Sequence, residues 1–407
     1  MAKEDEAPVE EVTSQPVPEH LIGDAQVPSS MLMRLLNRGS SKRLSKAPAE
    51  DMGLAEHLPF PFMALVGQFE MRMALLLSVI NPNVGGVILI GPRGIGKTTA
   101  ARGLSDLLPF VDTSTCPYGC MPEDYETQGP AGVCDDCRVK LESGKEITRM
   151  EPVRLVELPL NARLDDVVGG VDERVAIQQN RVRLERGILS RADNNLLYVD
   201  EANLLADEIV DAILDAAAQG QYTVRRGPVR ATYRSRFVLI GSMNPEEGNL
   251  RPQIMDRFGL RVLVSGLINS DERVTVYERV RQFRENPAAF IQSFDEETYF
   301  AREDIIGARE MLPTVALSSE GQALGLKLVQ KLNVHSHRAE FTLFEAARAY
   351  AAADGRDSAT VTDVRAVAPL ALRMRRSEFM DEFFEKQKTE EQQISKLLNK
   401  LAPEPTA

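Results

Sequence analysis

Gly91-Pro92-Arg93-Gly94-Ile95-Gly96-Lys97-Thr98-Thr99 matches the phosphate-binding pattern G-x-x-x-x-G-K-[ST] at every fixed position. The apolar run Val87-Ile88-Leu89-Ile90 precedes it, and a helical pattern runs from Thr98 to about Leu108. Strand, glycine loop and helix are the order this motif requires. Glycines at 91, 94 and 96 allow backbone N–H groups to turn inward around phosphate oxygens, and the helix N-terminus adds the positive end of its dipole. Pro92, Arg93, Ile95 and Thr99 complete the cradle. Lys97 is expected to reach the β- and γ-phosphates of a nucleotide, and the Thr98 hydroxyl to ligate Mg²⁺.

Leu196-Leu197-Tyr198-Val199 runs directly into Asp200-Glu201. Such a run places both acids at the C-terminal end of a strand, where ligands sit in a doubly wound sheet. There Asp200 is expected to hold the Mg²⁺, and Glu201 to orient and polarise an attacking water. Phe237-Val238-Leu239-Ile240 reads as another buried strand that delivers Met243-Asn244-Pro245 to the same end. Asn244 is the candidate to hydrogen-bond the water or the γ-phosphate through its amide. Residues 154–159 and 261–264 read as two further strands, so five short strands are expected, each leading to a polar loop.

A chain of 407 residues has room for two or three domains. Hydrophobic residues at 43% and charged residues at 27% are ordinary for a globular protein. No apolar run approaches the roughly 18 residues that a membrane span needs. The start, MAKEDEAPVEE, has neither the apolar core of a secretory signal nor the basic character of a transit peptide, so a cytoplasmic, bacterial protein is expected. A net charge of −12 and the absence of Trp argue against nucleic acid as the main partner.

Around this α/β centre, residues 1–55 read as a disordered extension with a brief helical pattern at 31–36. Helices are expected over 68–80 and 207–219, the second stopped by Gly220. Residues 222–230 alternate and turn at Gly227-Pro228, as a β-hairpin does. The five arginines from 225 to 236 suit a partner, an acidic neighbouring subunit, or a solvated edge. From Ser270, read as a helix cap, the pattern turns helical, with Val274, Tyr277 and Val280 on one face. Further helices are expected at 301–311, 318–332, 339–353 and 361–374, the last opening on a Thr360-x-x-Asp363 capping box. The expected domains are an α/β nucleotide-binding domain over 56–268, a smaller helical domain over 269–380, and a charged helix or tail over 381–407.

All four cysteines fall within one loop, 112–140, as Cys116-x3-Cys120-x13-Cys134-x2-Cys137. Two close pairs separated by a loop suit a tetrahedral zinc site with thiolate ligands. Free thiols and a redox-sensitive pair are the alternatives.

With both phosphate motifs, Asn244 and Asp256-Arg257-Phe258 in place, the chain resembles the AAA+ ATPases and, more closely, the family of magnesium chelatase I subunits. The resemblance covers about residues 58–376 and rests on Phe60-Pro61-Phe62, Val66-Gly67-Gln68, Cys116-Pro117-Tyr118, Asn244-Pro245-Glu246-Glu247-Gly248 and Leu250-Arg251-Pro252-Gln253. It implies a three-layer α/β/α ATPase domain with a five-stranded parallel sheet and β-hairpin insertions, followed by a helical lid. It implies Arg257 as an arginine finger reaching the ATP of the next subunit, and Arg338 as a second sensor touching the γ-phosphate. It also implies a hexameric ring working with a D subunit and a porphyrin-binding H subunit, so that ATP hydrolysis drives Mg²⁺ into protoporphyrin IX. Pro92-Arg93-Gly94-Ile95 and His337-Arg338-Ala339-Glu340 depart from the family's usual loop and lid sequences. Competing readings are a nucleotide-gated scaffold, and a chaperone or remodelling ATPase acting on another metalloenzyme or protein.

Overall fold

The computed structural model describes residues 58–116, 118–171, 184–227, 229–248 and 250–401. The expected extension over 1–55, its helical pattern at 31–36, Pro117 and the turn residue Pro228 lie outside the described residues.

The first half of the chain runs α1 (Phe69–Ile80), β1 (Val87–Ile90), α2 (Lys97–Leu104), β2 (Val111–Ser114), α3 (Pro122–Gln128), α4 (Asp135–Glu142), β3 (Thr148–Glu151), β4 (Leu155–Leu158) and α5 (Leu164–Val168). It continues through α6 (Ile188–Arg191), β5 (Leu196–Val199), α7 (Asp207–Gln219), β6 (Gln221–Arg226), β7 (Val229–Arg234), β8 (Val238–Met243), α8 (Pro252–Arg257) and β9 (Leu260–Leu263). The helical part comprises α9 (Ser270–Glu285), α10 (Pro287–Gln292), α11 (Asp295–Met311), β10 (Ala316–Leu317), α12 (Ser319–Lys331), α13 (His337–Ala353), β11 (Ser358–Ala359), α14 (Val361–Leu372) and α15 (Glu378–Leu401).

Strands made of uninterrupted Val, Ile and Leu must bury both faces, which a parallel sheet between helices achieves. β1, β5 and β8 are buried at every position. The five expected strands form one parallel sheet in the order β4-β5-β8-β1-β9. β8 therefore separates the strand before the glycine loop from the strand before Asp200. Its register pairs Met243 with Ile90 and Gly241 with Val199. Gly91, Asp200 and Asn244 thus leave the sheet at one end.

One core fills each face. On one side α7 lays Ile209, Val210, Ile213 and Leu214 against β5 and β8, and ends at Gly220 with φ +66°. On the other side Leu75 and Val79 of α1 join Ala301 and Ile305 of α11 and Leu343 and Ala346 of α13 in one continuous cluster. Polar ties reinforce that junction. Asn81 Nδ2 donates to Glu345 Oε2 (2.7 Å), and Arg309 Nε donates to the Val79 carbonyl (2.7 Å). The expected capping box forms, with Asp363 accepting from the Thr360 N–H (2.6 Å).

The structure corrects several expectations. The cap of α9 is Asn269, whose side chain accepts from the Asp271 N–H (2.8 Å), in place of Ser270. Val274 and Tyr277 stay exposed, because a helix so rich in charge has too few apolar residues to enter the core. The antiparallel ribbon β2–β3 and helices α3 and α4 frame the cysteines where a plain loop is expected. Of the five arginines near the hairpin, three are held within the chain: Arg226 by Asp165, Arg234 by Glu123 and Asp124, and Arg236 by Asp193. Among the described residues, no helix is long and apolar enough to cross a membrane.

Candidate nucleotide site

The glycine loop has the shape its sequence requires. A Cβ on Gly91 would meet the Val264 carbonyl oxygen at 2.1 Å, so that position has no room for a side chain. Gly94 and Gly96 turn the backbone with φ of +79° and +88°, where other residues are strained. The loop opens on a cavity of about 850 Å³ at the C-terminal end of the sheet. Residues 93–99, Asp200, Glu201 and Asn244 line it, so the structure gathers these predicted residues at one place. Gly91 and Pro92 contribute carbonyls: Lys97 Nζ donates to both, at 2.6 and 2.8 Å. Burial lowers the Lys97 pKa, against the opposing pull of Asp200 and Glu201.

Thr98 and Asp200, the pair expected to hold the cation, are organised by a residue that pattern matching overlooks. Tyr198 donates to Asp200 Oδ1 (3.0 Å) and therefore accepts from the Thr98 hydroxyl (2.9 Å). Ser242, on β8, also donates to Asp200. Thr98, in the first turn of α2, and Asp200, just past β5, are thus held one phenol apart, where both can serve a hard cation. A tyrosine inside an otherwise aliphatic strand is the one sequence signal for this role. Burial raises the Tyr198 pKa to about 12, which keeps its proton available to Asp200.

Glu201 sits at φ +47°, a left-handed conformation uncommon for a residue with a side chain and frequent at functional sites. Its N–H donates to Ser242 Oγ (3.1 Å). Its carboxylate pairs with Arg93 (2.8 Å), and Arg93 also reaches Glu247 (2.5 Å). The hydrogen bond from Arg93 to Glu201 raises the pKa of the guanidinium. The loop arginine therefore positions the carboxylate. Asn244 is 4% exposed and accepts from the Glu246 N–H (3.3 Å).

The rest of the cavity mixes apolar side chains with Gln68, Arg273 and Arg279. Leu65, Val66 and Met71 face Val276, Tyr277 and Val280 across it. The apolar side of α9 thus lines a space suited to a flat base. Gln68 donates to the Ser265 carbonyl (2.7 Å) and ties the two walls together.

Arg257 and Arg338 do not line this cavity. Arg257 ends α8 and pairs with Asp215 (2.6 Å) and Asp211 (3.4 Å) of α7, with its side chain 30% exposed. Arg338 is exposed in the first turn of α13. The preceding Ser336 donates to Asp256 (2.8 Å), which Arg375 also holds (2.8 Å). The start of α13 therefore adjoins the segment carrying Arg257.

The four cysteines converge. Their sulfurs all lie within 4.8 Å of one another, with Cys116 at 3.8 Å from Cys120 and 3.6 Å from Cys134. A disulfide needs about 2.0 Å. Zn–S bonds of about 2.3 Å at tetrahedral angles place sulfurs about 3.8 Å apart. The donor set fits zinc.

The family profile described as "Magnesium chelatase, subunit ChlI" matches residues 173–262, and that described as "AAA lid domain" matches residues 323–397. The chain is 44% identical over 335 residues to the magnesium-chelatase subunit ChlI homolog of Methanocaldococcus jannaschii, covering 82% of this chain and 90% of that protein. It is 41% identical over 318 residues to the chloroplastic magnesium-chelatase subunit ChlI-2 of Arabidopsis thaliana, covering 78% of this chain and 75% of that protein. It is 39% identical over 329 residues to the magnesium-chelatase subunit ChlI of Nostoc sp., covering 80% of this chain and 87% of that protein.

Proposed function

This chain belongs to the magnesium-chelatase subunit ChlI family, and on that premise we propose that it is the ATP-hydrolysing subunit that couples turnover to insertion of Mg²⁺ into protoporphyrin IX. The observation that carries the reading is the convergence of Lys97, Thr98, Asp200, Glu201 and Asn244 on one cavity of a chain this similar to ChlI proteins. ATP and Mg²⁺ are its cofactors. Lys97 and the loop amides bind the phosphates, Thr98 and Asp200 hold the cation, Asn244 contacts the γ-phosphate or the water, and Glu201 orients that water. Zinc on Cys116, Cys120, Cys134 and Cys137 is the third ion of the proposal.

The site is incomplete within one copy. Transfer of a γ-phosphoryl group develops charge that an arginine supplied in trans stabilises, typically by ~10³–10⁵ in rate. Arg257, outside its own chain's cavity and partly exposed, is that residue for the neighbouring copy. Arg338 acts from the same side. The assembly is a ring, taken as a hexamer, that works in the cytoplasm with a D subunit and a porphyrin-binding H subunit. Residues 56–268 form the ATPase domain and 269–380 the lid.

Reconstitution with D and H subunits tests the reading. Magnesium porphyrin absorbance should rise with MgATP only when this chain is present. If ATP turns over but no magnesium porphyrin forms with any cognate D and H pair, the chain is a remodelling ATPase for another partner.

A further inference from the structure

The module between β2 and β3 has little core of its own. Cys116, Cys120, Cys137 and Ile147 form its core cluster, with Tyr118, Val133, Cys134 and Leu141 partly covered against them. Two short strands and two short helices do not hold together on that much apolar surface. Backbone amides aim at the sulfurs: the Tyr118 N–H donates to Cys116 Sγ (3.3 Å) and the Cys134 N–H to Cys120 Sγ (3.2 Å). Such donors orient thiolates and stabilise their charge at a metal.

The module's contacts with the rest of the domain start at the same turn. Cys120 is followed by Met121, whose N–H is accepted by Asp124 (2.9 Å) as α3 begins. Asp124 and Glu123 together hold Arg234 of β7. Arg186 lies over the Cys116–Cys120 turn, and a Cβ on Gly119 would meet its guanidinium carbon at 2.4 Å. That guanidinium also donates to the hydroxyl (2.7 Å) and carbonyl (2.6 Å) of Ser190 in α6. Zn²⁺ with four thiolates is an anionic unit, and Arg186 is a cation beside it.

Building on the zinc reading, we propose that the metal is a clamp that fixes the β6–β7 hairpin to the ATPase domain. Zinc locks the Cys116–Cys120 turn, the turn sets the start of α3, and α3 grips Arg234. Arg186 ties the same turn to α6, the short helix before β5. The clamp determines where the hairpin presents Arg225 and Arg230, both exposed.

The test uses the full-length chain, metal analysis and hydrogen exchange. One zinc per chain is expected by plasma emission, released as a mercurial titrates the four thiols. Zinc removal, or the Cys134→Ser/Cys137→Ser variant, should speed exchange over 221–234 by about tenfold or more, with 207–219 unchanged. Arg234→Gln should keep its zinc and show the same faster hairpin exchange, which decides the matter if the cysteine variant fails to fold. Arg186→Met should lose zinc to a chelator faster. A chain purified without zinc, or with disulfides, overturns the metal site. Zinc present but hairpin exchange indifferent to its removal overturns the clamp. Binding of a fluorescent ATP analogue on the same samples reports separately on the ATPase reading.

Discussion

Replacing Glu201 by Gln removes one charge and keeps the side chain's shape. The Glu201 carboxylate accepts from Arg93 Nε (3.1 Å) and Nη2 (2.8 Å), and an amide oxygen can accept in the same way. Arg93 retains Glu247 at 2.5 Å, and its side chain is 68% exposed. The pair is screened by solvent, so weakening it should change nucleotide affinity little. Removing a negative charge beside polyphosphate works the other way, so affinity should hold or rise. In the proposed role, turnover depends on the carboxylate itself. Loss of a positioned base typically costs 10²–10⁴ in rate, about 3–5 kcal/mol in the barrier. The assay is steady-state phosphate release beside a fluorescence titration with an ATP analogue. A Glu201→Gln variant hydrolysing within about twofold of the parent would refute the water-orienting role. Parallel loss of binding would place Glu201 in the phosphate cradle instead.

Tyr198→Phe removes the phenol between Thr98 and Asp200, and should weaken apparent Mg²⁺ affinity in the ATPase assay by about tenfold, the worth of about one hydrogen bond or two. An unchanged Mg²⁺ dependence would leave Tyr198 a packing residue. Asp106 gives a pH prediction: burial raises its pKa from 3.8 to about 6, against the pull of Arg302. The folded state thus holds the proton to higher pH than the unfolded chain. Its contribution is favourable below the unfolded pKa and is lost as pH rises through about 6, beyond which the buried carboxylate costs up to about 3 kcal/mol. Asp106→Asn should raise denaturation midpoints at pH 7.5 and gain progressively less toward pH 4. An equal gain at both ends would contradict the burial argument.

How far the fold is legible depends on how each element buries itself. β1, β5 and β8 are short apolar runs buried throughout, so composition alone marks them. α7 is equally plain, with an apolar face and Gly220 at its end. The ribbon β2–β3 is opaque because Val111-Asp112-Thr113-Ser114 and Thr148-Arg149-Met150-Glu151 have no buried face to impose a period. α9 misleads for a related reason: Val276, Tyr277 and Val280 border the cavity rather than a core.

At the candidate site, residues bound to a motif are readable, while their supports are not. Lys97, Thr98, Asp200 and Glu201 follow from spacing and strand ends. Tyr198 and Ser242 act through contacts between strands that only the sheet order β5-β8-β1 creates. The place of Arg338 outside the cavity lining depends on how the helical part docks, through Ser336, Asp256 and Arg375. No local pattern encodes that docking.

Two inactive variants, mixed, offer the most direct measurement. Glu201→Gln lacks the proposed water-orienting acid and Arg257→Ala the arginine proposed to reach a neighbour. In randomly mixed rings at equal ratio, about one interface in four pairs an intact cavity with an intact arginine. Phosphate release from the mixture should therefore exceed that of either variant alone by a large factor, approaching about a quarter of the parent rate if interfaces act independently. A mixture no more active than its components, in rings shown to exchange subunits, would mean that Arg257 does not complete the neighbour's site.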